Sequence, residues 1–358
     1  MSRWPIVVYV LMETTSYLYF RWCLWGEIPR QRTAQPPRLF IDVLVRLGEM
    51  RRLFEIFTAA KTPPVLGFDQ FTAFVADFRG GNPMPELMGC SSMHVTYKPI
   101  GLRLLRWLVQ SVGGWGLYAH GFTRRVLPTG YRVWSRVVPG TPPILFFPGV
   151  GGGIAPYLWF LLSFGHRTIW AIEVPNMSGI ATSSPHATPQ SLRDVFRSLV
   201  PVGAPPVSVV AHSLGTLHVA MLINILPPHT IDTAVLLEPF CHPVHTSRAT
   251  SLLFPSHSQE SWWQFFARHL IGYDLGMQTF FYETTPYDLL LYQPEKCRAI
   301  LNIVCASDTI LSDSYDDALF GYLQQTHQDV QSVPGDHGAS IARKHITRVA
   351  AFLAEHAA

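Results

Sequence analysis

The 358 residues are 48% hydrophobic, with a formal net charge of only +3, which is enough apolar material for one large α/β domain with elaborations or for two domains, and excludes a disordered chain. The pI near 8.6 comes without a long basic run interleaved with aromatics, so no nucleic-acid partner is expected. The five cysteines contain no C-x-x-C pair; their odd number argues against a complete disulfide framework and points to a reducing, intracellular compartment.

Residues 1–30 open the chain with an apolar, aromatic segment. Pro5 to Phe20 is broken by Glu13, Thr14, Thr15 and Ser16, short of the roughly 20 apolar residues a clean membrane span needs. As a secretory leader it is weak too, because Glu13 interrupts the apolar core and no small-residue cleavage site follows. Trp4, Tyr17, Trp22 and Trp25 with Arg3 and Arg21 suit the headgroup level of a bilayer. Two readings stand: a helix packed on the protein's own surface, or contact with a membrane.

A helical extension follows over residues 31–120. Past the polar linker 31–37, Leu39, Val43, Leu47, Met50, Phe54 and Phe57 recur at helical spacing within Arg38–Ala60, which predicts an amphipathic helix. Pro63 and Pro64 end it. A second helix is expected over Phe68–Phe78, stopping at Gly80-Gly81, and a third over Ile100–Gln110.

From Gly121 the texture becomes that of strands. Phe122–Pro128 and Tyr131–Val138 flank Thr129-Gly130 as a hairpin, and 143–147 is a continuous apolar strand running into Pro148-Gly149-Val150-Gly151-Gly152-Gly153. Further strands are expected at Thr168–Val174, Val207–Val210, Thr233–Leu237, Ala299–Cys305 and Val330–Val333, with helices near Leu192–Leu199, Leu214–Leu226 and Arg343–Glu355. Short apolar strands alternating with helices give an α/β fold with a doubly wound, mostly parallel sheet over residues 121–358. In such sheets ligands bind at the carboxyl ends of the strands. The insert 242–295, rich in Trp, Phe and Tyr, is too long for a bare loop and predicts a helical cap, either with aromatics serving its own core or as a lid over an apolar pocket.

Chemistry is concentrated around Ala211-His212-Ser213-Leu214-Gly215, a strand-to-helix turn with a serine at its tip. Small residues two before and two after the serine are what a crowded nucleophile elbow demands, and the helix start favours developing negative charge. A serine needs a base, and the base an orienting acid. Asp308 follows the strand Ala299–Cys305, with Glu238, at the end of Thr233–Leu237, as a rival acid; His337 sits in the Gly-flanked loop Gly335-Asp336-His337-Gly338. His212, His218, His242 and His245 stand in no ligand pattern with a carboxylate such as H-E-x-x-H, so no metal is expected. Gly149 to Gly153 is followed by no Lys-Ser or Lys-Thr, so no phosphate-bearing cofactor is expected either.

Pro148–Gly153, Ala211–Gly215, Ala306-Ser307-Asp308 and Gly335–Gly338 occur in the order found in the α/β-hydrolase superfamily, which residues 121–358 resemble. The resemblance implies the α/β-hydrolase fold with Ser213 as nucleophile, Asp308 as acid and His337 as base, and the backbone N–H groups of Val150 and Leu214 as oxyanion hole. It implies an esterase or lipase acting on an apolar ester, needing no cofactor. The alternatives are a non-catalytic binder on the same fold, or an acyltransferase or thioesterase using the same triad. Two departures from the usual pattern, Pro148 in place of a histidine and Ala211 in place of a glycine, leave the subfamily open.

Overall fold

The computed structural model describes residues 100–150, 153–165, 167–174, 189–201, 203–241, 294–308 and 328–356, with the single positions 12, 14 and 323. The segment 1–30, the helices expected at 38–60 and 68–78, and all of the insert 242–295 except its last two residues lie outside the described residues.

Eight strands form one sheet. They are β1 (Thr123–Val126), β2 (Arg132–Arg136), β3 (Ile144–Phe147), β4 (Ile169–Glu173), β5 (Val207–His212), β6 (Ile231–Leu237), β7 (Ala299–Cys305) and β8 (Asp329–Val333). Their order across the sheet is β1-β2-β4-β3-β5-β6-β7-β8. The hairpin partners β1 and β2 are antiparallel, β2 meets β4 antiparallel, and every pairing from β4 through β8 is parallel. This is the doubly wound, mostly parallel sheet that the alternation of elements predicts.

Helices α1 (Ile100–Ala119), α2 (Leu158–Leu162), α3 (Pro189–Leu199), α4 (Gly215–Ile225) and α5 (Arg343–Glu355) cover the sheet. Alternation within the strands assigns each residue to a face. Leu145 and Phe147 pack with Val209, Ala211 and Leu236 under α3 and α4, while Ile144 and Phe146 pack with Val210 and Val235 under α1, α2 and α5. Strands buried on both faces are apolar at nearly every position, as the run Ile144–Phe147 shows. The helices differ in kind. Leu192, Val195, Phe196 and Leu199 give α3 a single buried stripe, whereas α4 is buried from Gly215 to Ile223 and is apolar on nearly all sides.

One helix runs further than the sequence suggests. The expected stretch Ile100–Gln110 continues to Ala119, through Gly113, Gly114 and Gly116. Each glycine costs an isolated helix about 1 kcal/mol relative to alanine, but tertiary contact reverses the preference here. A Cβ on Gly116 would stand 2.7 Å from Leu158 Cδ2, one on Gly114 3.1 Å from the Trp134 ring, and one on Gly113 inside contact distance of Ala155. The glycines let α1 approach closely enough for Leu117 to be fully buried.

Candidate active site

The strand order reverses at β3: the chain leaves β3 for β4 on one side and returns to β5 on the other. A crevice therefore opens outside the carboxyl ends of β3 and β5. Register brings the ends together, with Phe147 opposite Ala211 and His212 opposite Leu237. Gly149, Ser213 and Glu238 thus emerge side by side from three adjacent strands.

The turn at Ser213 is strained. Ser213 has φ of 49°, a left-handed conformation that costs an L-residue about 1–2 kcal/mol. Its N–H is fixed to the Leu237 carbonyl at 2.8 Å, and Leu214 then enters the right-handed helical region as α4 begins. Close approach explains the small residues. A Cβ on Gly215 would fall within contact of the Phe147 carbonyl oxygen and 2.6 Å from that of Pro148, both backbone atoms that cannot swing aside. Gly215→Ala is accordingly expected to lower stability by about 1–3 kcal/mol and to reduce activity by displacing the turn. Denaturant unfolding and turnover measured on one preparation check this, and a wild-type midpoint would show that the β3 end yields freely.

Ser213, His337 and Asp308 come together from three separate connections. His337 Nε2 lies 2.9 Å from Ser213 Oγ, and its Nδ1 lies 2.8 Å from Asp308 Oδ2. With Asp308 accepting the Nδ1 proton, Nε2 is left to accept the serine O–H; this tautomer is assigned from the hydrogen-bond partners. Burial pushes the His337 pKa down, but the hydrogen bond to Asp308 and the charges of Glu238, Asp308 and Asp336 outweigh it, so the net direction is up. Val150 follows Gly149 beyond β3, and Leu214 follows Ser213.

The chain's sequence from 144 to 348 matches the model of a protein family described as Alpha/beta hydrolase family. The chain belongs to the alpha/beta hydrolase family. No curated protein matches the sequence. The solved structures it is similar to include the carboxylesterase CesB (YbfK) from Bacillus subtilis, at 13% identity over 71% of this chain and 99% of that one, with a TM-score of 0.49. Naproxen esterase (carboxylesterase NP) from Bacillus subtilis is 14% identical over 68% of this chain and 98% of that one, with a TM-score of 0.43. A haloalkane dehalogenase DbeA variant from Bradyrhizobium elkanii is 12% identical over 65% and 96%, with a TM-score of 0.47.

In this alpha/beta hydrolase three groups surround the string that the sequence leaves unconnected. His212 Nε2 is 2.9 Å from Glu238 Oε2, and its Nδ1 is 2.8 Å from the Tyr157 hydroxyl. That hydroxyl also accepts the Gly149 N–H at 2.8 Å. No local pattern announces these contacts: His212 and Glu238 are 26 residues apart, and Tyr157 is brought in by the short 3-10 turn Ala155–Tyr157. Glu238 Oε2, the other carboxylate considered from the sequence, also lies 3.3 Å from His337 Nδ1, against 2.8 Å for Asp308 Oδ2.

His212, Glu238 and His337 each offer a ligand atom within 4.8 Å of the others, a spacing that would suit a metal ion. The same atoms are spent on one another and on neighbours, however. An ion there would take His337 Nδ1 from Asp308, and Glu238 Oε2 from His212 and the Gly338 N–H. The trio is therefore read as a hydrogen-bonded network.

Another buried carboxylate stands at the end of the neighbouring strand. Glu173, at the end of β4, accepts the Ile154 N–H at 2.8 Å and the Trp134 indole N–H at 3.2 Å. Among the described residues no helix is long and apolar enough to cross a membrane.

Proposed function

We propose that this alpha/beta hydrolase is a serine hydrolase cleaving carboxylic esters of apolar, lipid-like substrates. The reading is carried by the string Ser213 Oγ, His337 Nε2, His337 Nδ1, Asp308 Oδ2, with separations of 2.9 and 2.8 Å. His337 takes the serine proton as Oγ attacks the ester carbonyl, and Asp308 stabilises the imidazolium that forms. The oxyanion of the tetrahedral intermediate is held by the N–H groups of Val150 and Leu214; the latter, at the N-cap of α4, has no intrahelical acceptor. Collapse transfers the proton from His337 to the leaving alcohol and leaves Ser213 acylated. Water, deprotonated by the same histidine, then releases the acid.

The apolar character of the substrate is supported by the aromatic composition of residues 1–30 and 242–295 and by α1. Leu104, Leu105, Trp107, Leu108, Val112 and Trp115 are all exposed along that helix. Exposed apolar rows of this kind mark contact with lipid or another apolar partner. Labelling with a fluorophosphonate followed by a chain-length series of p-nitrophenyl esters tests the reading. Each methylene removed from water contributes about 0.8 kcal/mol, so with partial burial kcat/KM should rise by roughly several-fold per two carbons from acetyl toward medium chains. A sharp preference for acetyl esters would count against a lipid-like substrate, and transfer of the acyl group to an added alcohol in preference to water would make the protein an acyltransferase.

A further inference from the structure

Glu238 is a fully buried carboxylate at the end of β6, held at φ of 48°. A buried charge persists only where donors converge on it, and here they arrive from β5, from β7 and from the loop after β8. Oε2 accepts His212 Nε2–H at 2.9 Å and Gly338 N–H at 2.5 Å. Oε1 accepts Ser340 N–H and the Cys305 thiol, each at 3.0 Å. Burial and then Glu238 itself push the Cys305 pKa up, which keeps that sulfur a donor. Burial also pushes the Glu238 pKa up, but His212, His337 and Cys305 more than reverse it, and the carboxyl stays below the usual carboxylate range.

The network has a direction. Gly149 N–H donates to Tyr157 Oη, and Tyr157 O–H donates to His212 Nδ1. His212 Nε2–H then donates to Glu238, whose Oε2 lies 3.3 Å from His337 Nδ1. One end therefore grips the residue before Val150, and the other grips the loop of the histidine.

We propose that Glu238 is a positioning residue for the reaction: a second, permanent negative charge on His337 that also couples, through His212 and Tyr157, the histidine loop to the turn carrying the Val150 N–H. The proposal rests on the reading of Ser213, His337 and Asp308 as a triad. A single Nδ1 proton cannot be given fully to two acceptors, so Asp308 takes the short bond and Glu238 acts by its charge and by holding Gly338 and Ser340. Among the described residues, the groups facing His337 are Asp308 beyond β7, Glu238 beyond β6, Asp336 in its own loop, and the ring of His212, the last residue of β5, with ring centroids 5.5 Å apart.

The test is the pH dependence of the fluorophosphonate labelling rate. Neutral His337 is the reactive form, so the rate falls on the acid side as His337 is protonated. Removing a charge that raises its pKa moves that limb to lower pH. For Glu238→Gln the limb should move down by about one pH unit, and the plateau should fall about tenfold, since one unit of lost imidazolium stabilisation is tenfold in rate. A purely structural role would lower Tm and leave the limb of the folded fraction in place; a limb coincident with wild type overturns the proposal. Tyr157→Phe serves if Glu238→Gln does not fold: a plateau several-fold lower with an unmoved limb supports the coupling, and a wild-type plateau overturns it. Failure of the wild-type protein to label at all would instead sink the serine-hydrolase reading, which keeps the two outcomes apart.

Discussion

Ser213→Ala is expected to abolish both ester turnover and fluorophosphonate labelling, with a loss in kcat of about 10⁶ by the scale on which serine nucleophiles are lost elsewhere. In the proposed mechanism the Oγ forms the acyl-enzyme, and it is the hydroxyl that lies against His337 Nε2 among the described residues. The fold should survive. The turn is held by backbone groups that the substitution leaves alone: Ser213 N–H on Leu237 O, and Ser213 O accepting the Thr216 hydroxyl at 2.7 Å. The thermal midpoint and circular dichroism should therefore match wild type. A variant that still labels to full stoichiometry would move the nucleophile to another residue.

Asp308→Asn should be the second most damaging change, lowering kcat by about 10³–10⁴, as wrong-tautomer substitutions do in triads. An asparagine amide presented to Nδ1 favours the tautomer whose proton sits on Nε2, where it cannot accept the serine proton. Glu238→Gln should cost far less, because Glu238 lies at 3.3 Å from Nδ1 against 2.8 Å for Asp308. Steady-state kinetics of the two variants at one pH, normalised to labelled sites, decide the ranking. The reverse order would place the orienting acid at the end of β6. Loss of Asp308 also removes the largest influence raising the His337 pKa, its hydrogen bond, so the residual activity should persist to lower pH than in wild type.

What the sequence by itself determined was whatever is encoded locally. A short, nearly continuous apolar run placed β7 at Ala299–Cys305, and the closing helical stretch placed α5 at Arg343–Glu355, both at the bounds observed. Turn chemistry marked the strand-to-helix bend at Ser213, because small residues at 211 and 215 record a steric demand that operates within a few residues. The tertiary structure decided what depends on register between distant strands. That α1 runs through three glycines follows from its seat against Trp134 and Leu158, which no propensity contains. That Glu238 stands beside Asp308, and that His212 and Tyr157 link it to Gly149, follows from β3, β5 and β6 ending level with one another. Contacts of that kind are set by how a sheet aligns its edges. A sequence lists the carboxylates that could orient His337, and only the packed strands give each of them a distance.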